Sequence, residues 1–160
     1  MLADNRQLNQ MVQFCTNPVE FSVFSVDPMF NIFKEALSLT VTTYRNLKLI
    51  SKETGKAPVF LGPMLIHQKK DCKAYSKLCH SMITENLAFG GLLAIGTDGE
   101  KALSDGFRRN FRFAVFLRCF IHFKKGIEGN LRDRTITCLE KKASSEILWD
   151  VKMEKLGMKD

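Results

Sequence analysis

Two aspartates stand where chemistry would need them. Leu92 to Leu103 reads LLAIGTDGEKAL, an apolar run ending in Asp98, then Gly99, then a helical pattern. Phe21 to Phe30 reads FSVFSVDPMF, an apolar run ending in Asp27 with a chain break at Pro28. In α/β sheets, functional groups collect at the carboxyl ends of strands. If these two runs are neighbouring strands, their carboxylates are neighbours as well, and close carboxylates repel unless a cation or a proton joins them. Mg²⁺ or Mn²⁺, which take oxygen ligands, would meet that need. A pair of such ions can activate the attacking oxygen and stabilise the leaving oxygen of a phosphodiester. Each aspartate also has an ordinary explanation, since Asp before Pro is a turn residue and Asp-Gly after a strand is a turn or a helix N-cap.

A second pair is Cys119 and His122 in RCFIH. A thiolate and an imidazole one helical turn apart can share a zinc ion, but a structural zinc needs four ligands. His67, His80 and the other cysteines show no ligand spacing, so zinc is not expected. A buried cysteine beside a locally hydrogen-bonded histidine is the simpler reading. A Cys/His nucleophile would also need an orienting group and an oxyanion hole, and the sequence suggests neither.

The chain carries a formal charge of +7 with a pI near 9.3. That balance suits a polyanionic partner, nucleic acid before a membrane surface. Arg108, Arg109, Arg112 and Arg118 cluster in GFRRNFRFAVFLR, Lys124 and Lys125 follow, and HQKKDCK adds further lysines. These residues could neutralise DNA phosphates, which positions a duplex without reading its sequence. The alternative is a solvated helix face, which accounts for at least half of them. No recognition helix or zinc finger is legible.

The elements that must position these groups follow from periodicity. Leu8, Met11, Val12 and Cys15 mark one helix face. Val19 to Val26 predicts a strand ended by Asp27-Pro28. Leu37, Leu39 and Val41 alternate with Ser38, Thr40 and Thr42, the period of a half-buried strand. KETGKAP predicts a turn, and VFLGPMLIH another strand with a bulge or an edge position at Gly62-Pro63. Lys69 to Asn86 predicts a helix buried through Cys72, Tyr75, Cys79, Met82 and Ile83. Leu92 to Thr97 predicts a strand, Gly99 to Phe111 a helix buried through Ala102, Leu103 and Phe107, and Ala114 to Arg118 a strand. Phe120, Phe123, Ile127 and Leu131 predict a further helix. An antiparallel meander followed by βαβα units implies an α/β protein with a mixed sheet flanked by helices.

A chain of 160 residues fits one domain with a sizeable core. The expected layout is an N-terminal helix over 1–18, a core over 19–134, and a helix or tail over 135–160. Five scattered cysteines without a CxxC point to reduced thiols in a cytosolic or nuclear setting. No run suits a signal peptide or a membrane span.

FSVDPMFNI, LTVTTYRNL, PVFLGPMLIH, GTDGEKAL and LRCFIHFKKGI resemble, in that order, the transposase domain of Mutator-like elements, over about residues 21–133. The family belongs to the DDE transposase superfamily and has an RNase H-like fold, whose element order is the one read above. The resemblance implies that Asp27 and Asp98 are the first two catalytic acids, that they hold Mg²⁺ or Mn²⁺, and that the chemistry is cleavage and joining of DNA strands. It also implies a nuclear protein that acts as a multimer, and it supports the Cys119/His122 motif. Two departures stand out. The segment IFKEA after the first aspartate is unusual, and the family's third acid, which follows a helical insertion, has no counterpart by motif before Asp160. Glu140, Glu146, Asp150 and Glu154 match by position alone. Whether the chain is an enzyme therefore stays open, the alternative being a catalytically inactive, domesticated domain that binds DNA or protein.

Overall fold

Leu8, Met11, Phe14 and Cys15 are all buried on one side of the first helix, α1 (Asn5–Cys15). Asp4 starts it with a capping box: its carboxylate accepts the Arg6 N–H, and Gln7 returns a bond to the Asp4 N–H. In this computed structural model, the described residues are 1–29, 37–120, 122–125 and 127. The chain divides into two units, Met1–Cys119 and Phe120–Asp160. In the second unit Phe120, residues 122–125 and Ile127 are helical, as their spacing predicts. Leu131 and the expected 135–160 element lie outside the described residues.

The first unit is α/β. After α1 come β1 (Phe24–Met29), β2 (Ser38–Arg45), β3 (Val59–His67) and α2 (Cys72–Glu85). A short 3-10 helix at Leu87–Gly91 leads into β4 (Ala94–Thr97), α3 (Lys101–Asn110) and β5 (Val115–Arg118). The strands form one mixed sheet in the order β3-β2-β1-β4-β5. The β1–β2 and β2–β3 pairs are antiparallel, while β1–β4 and β4–β5 are parallel. No helix among the described residues is long and apolar enough to cross a membrane.

The three helices of this unit pack on the sheet face that carries Phe24, Val26, Thr42 and Tyr44. Phe14 stacks on Tyr44 and Phe107 meets Phe24. In β2 the alternation is real, but the side turned fully inward is the polar one: Ser38, Thr40 and Thr42 are buried, and Leu39 and Val41 are only half-buried. Burying the two threonine hydroxyls is tolerated because each finds a partner. Thr42 donates to the Pro63 carbonyl, and Thr40 bonds the His67 ring. The β2–β3 register shifts between Val41 and Thr43, opposite Gly62-Pro63, so the expected bulge is there and β3 is also an edge. A side chain at Gly62 would lie 2.4 Å from Thr42 Oγ1 and 2.7 Å from Met11 Sδ, so α1 can sit this low only over glycine.

The first strand differs from expectation. Val19 is exposed, and Asp27-Pro28 does not end β1, which pairs with β2 through Pro28↔Thr40 and Met29↔Leu39. On its other side β1 loses its partner after Val26↔Thr97. A strand with one open side can accommodate proline, which lacks the N–H that a central ladder demands.

Candidate functional site

The parallel β1–β4 ladder ends at Val26↔Thr97, and the next residue on each strand is an aspartate. Asp27 and Asp98 therefore leave the same edge of the sheet from adjacent strands. Asp27 is exposed and still in strand conformation, and it makes no side-chain hydrogen bond or ion pair with another described residue. Asp98 is half-buried and begins a turn: its Oδ1 accepts the Glu100 N–H at 2.9 Å. Gly99 follows with φ +95°, a conformation that glycine enters freely and other residues do not. The turn reading and the site reading of Asp98 are thus compatible, since the turn engages only one of its carboxylate oxygens.

The same edge gathers further groups. Thr97 pairs with Arg118, whose guanidinium lies against Gly99. Because β3 runs in the same direction as β1, its end at His67 brings Lys69 and Lys70 to this side of the sheet. Arg108 and Arg109, by contrast, occupy the last turn of α3, and Arg112 lies beyond it. Seven helical residues, Lys101 to Phe107, precede Arg108, a rise of about 10 Å along α3. Arg108, Arg109 and Arg112 do cluster, lining a shallow surface cavity with Asp105. A helix that starts beside Asp98 carries its last turn away from it, so Arg108 and Arg109 lie on the helix rather than at the carboxylate edge. Two of them have local roles as well. Arg108 stacks over the Phe116 ring at 4.2 Å, and both Arg108 and Arg109 complement the helix dipole. Lys124 and Lys125 are exposed in the second unit.

Cys119 ends the first unit, half-buried, its N–H donating to the Thr97 carbonyl at 2.7 Å. His122 is exposed on the helix of the second unit. Among the described residues no group of three or more His, Cys, Asp or Glu side chains could hold a metal ion. Two carboxylates still suit Mg²⁺ or Mn²⁺, because such ions are commonly held by one or two protein carboxylates with water and phosphate oxygens completing the shell. Cys138 and the positional matches for a third acid, Glu140, Glu146, Asp150 and Glu154, lie outside the described residues.

Sequence reasoning passed over a buried polar chain beside this edge. Tyr75 is fully buried, and its hydroxyl donates to Glu100 Oε2 at 3.2 Å. Burial pushes its phenol pKa up, the Glu100 and Asp98 carboxylates add to the rise, and Thr40 works against it. The phenol therefore stays protonated and acts as a donor. Thr40 Oγ1 lies 2.9 Å from His67 Nε2, and His67 Nδ1 lies 2.8 Å from the Lys69 carbonyl. A carbonyl can only accept, so Nδ1 carries a proton, and in the neutral ring Nε2 accepts from Thr40. The signal available in sequence was slight: a Tyr on an apolar helix face and a His ending a strand, each ordinary alone.

Comparison of the chain with family models gives no match, and comparison with functionally curated proteins gives none.

Proposed function

We propose that the chain is an RNase H-like catalytic-core domain related to Mutator-like transposases, with divalent-metal-dependent DNA strand cleavage and transfer as its chemistry. The observation that carries this reading is the end of the parallel β1–β4 ladder, where Asp27 and Asp98 follow Val26 and Thr97 on adjacent strands. The strand order β3-β2-β1-β4-β5, with β2 alone antiparallel to the rest, supports the fold assignment, because it is the arrangement an RNase H-like sheet requires. The five motifs in their family order support the relationship.

In this reading Asp27 and Asp98 hold the metal. When bound, a divalent ion supplies an activated oxygen nucleophile and charge stabilisation for the departing oxygen. Asp98 is held by its own turn, so one oxygen direction is set before a ligand arrives, while exposed Asp27 gives access from solvent. Lys69, Lys70 and Arg118 put positive charge on the same edge, where a nucleic-acid backbone would lie. Such contacts orient DNA without reading sequence. A catalytically inactive DNA- or protein-binding module is the second reading, favoured by the lack, among the described residues, of a group of three or more His, Cys, Asp or Glu side chains that could hold a metal ion.

Calorimetric titration of Mn²⁺ into the wild-type chain, Asp27→Asn and Asp98→Asn tests the site. The expected result is binding in the wild type that is lost in each variant. Wild-type binding that survives both substitutions would move the ion elsewhere, and no binding in the wild type would leave only the binding-module reading.

A further inference from the structure

A buried hydrogen bond under the carboxylate edge reaches the turn that presents Asp98. The Tyr75 hydroxyl of α2 donates to the Glu100 carboxylate, and the Glu100 N–H donates to Asp98 Oδ1. The Tyr75–Glu100 bond thus ties α2 to the β4–α3 turn, while Thr40, His67 and the Lys69 carbonyl form a separate bonded set beside it. Tyr75 cannot retreat. It is fully buried, its ring meets His67 edge-on at 5.4 Å, and the backbone of α3 at Gly106 lies so near that a Cβ there would be 2.8 Å from Tyr75 Cβ. No buried side-chain polar atom among the described residues lacks a partner. Satisfied buried networks fix geometry, because every alternative position strands a donor or an acceptor.

The turn itself needs such support. Gly99 at φ +95° provides no conformational preference of its own, and the half-buried Glu100 precedes α3 without giving it a side-chain cap. Among the described residues the Glu100 carboxylate neither caps the helix nor joins an ion pair, and it accepts from Tyr75 instead.

We propose that Tyr75 is a positioning residue for Asp98: its buried hydroxyl anchors Glu100 and thereby fixes the turn that carries the Asp98 carboxylate. The consequence for metal rests on the proposed function, whereas the fixing of the turn does not. Tyr75→Phe in the full chain removes only the hydroxyl. Amide hydrogen exchange at Glu100, followed by NMR, reads the turn directly, and Mn²⁺ titration reads the site. In Tyr75→Phe we expect Glu100 exchange to quicken and Mn²⁺ affinity to fall by about three- to tenfold, the range one lost hydrogen bond supports. Glu100→Gln keeps an acceptor for Tyr75 and should hold the wild-type exchange rate, while Glu100→Ala should match Tyr75→Phe. Glu100→Ala, which removes the acceptor rather than the donor, also serves if Tyr75→Phe does not fold. Unchanged exchange at Glu100 in the folded variants overturns the proposal. Faster exchange with wild-type Mn²⁺ affinity overturns the positioning of the metal ligand. A wild type that binds no Mn²⁺ overturns the proposed function instead, and the exchange rates still decide whether Tyr75 fixes the turn.

Discussion

Gly99 concentrates two constraints in one residue. Its φ of +95° disfavours any side chain, and a Cβ there would lie 2.6 Å from Arg118 Nε and 3.1 Å from Arg118 Cζ. Gly99→Ala should therefore lower stability by about 1–3 kcal/mol. Pairing it with Arg118→Ala separates the causes in a denaturation series. Any cost relieved in the double variant comes from the guanidinium, and the rest is backbone strain. A stable Gly99→Ala variant would mean that the turn after Asp98 is built differently. The same comparison shows what single residues reveal in sequence. Asp27 and Asp98 were legible because an apolar run, an acid and a chain break are all local. The Tyr75–Glu100 and Thr40–His67 bonds were not, because their partners lie 25 and 27 residues apart and neither residue type signals the other.

Elements were legible where period and burial agree. The Leu8–Met11–Cys15 and Tyr75–Cys79–Met82 stripes became buried helix faces, and Leu103 and Phe107 did the same in α3. The direction of a strand face was less legible. In β2 the threonines turned inward because β3 offered them the Pro63 carbonyl and the His67 ring, partners invisible in β2 itself. Pro28 misled for a related reason, since whether proline ends a strand depends on how many neighbours the strand still has. The contact between α2 and α3 depends on a smaller feature, Gly106. A methyl group there would lie 2.8 Å from Tyr75 Cβ and 3.0 Å from the Cys72 carbonyl oxygen. Glycine in a helix interior ordinarily costs stability relative to alanine, so Gly→Ala at an open site should help. At Gly106 the sign reverses: Gly106→Ala should destabilise by about 1–3 kcal/mol by forcing the two helices apart. A raised melting temperature in this variant would show that the helices have room to spare.

At the scale of the whole molecule, four buried acids tie stability to alkaline pH. The Cys15 thiol is pushed up from 9.0 to about 12, chiefly by burial, with Ser22 opposing. Cys79 is raised by burial against a backbone hydrogen bond, and Tyr44 and Tyr75 are raised by burial reinforced by neighbouring negative groups. All four shifts have one sign. Above the unfolded thiol value the unfolded chain releases protons that the folded chain keeps, so stability falls as pH rises. The contribution is complete below pH 9.0, is lost first through the thiols, and from pH 10.0 through the phenols as well. A single such group removes up to about 1.4 kcal/mol per pH unit while it titrates only in the unfolded state. Denaturant midpoints under reducing conditions should thus show a loss of about 2–4 kcal/mol between about pH 8 and about pH 10. Cys15→Ala removes one of the two buried thiols, so the alkaline slope should become shallower. An unchanged slope would place the loss outside the core that packs α1 on the sheet.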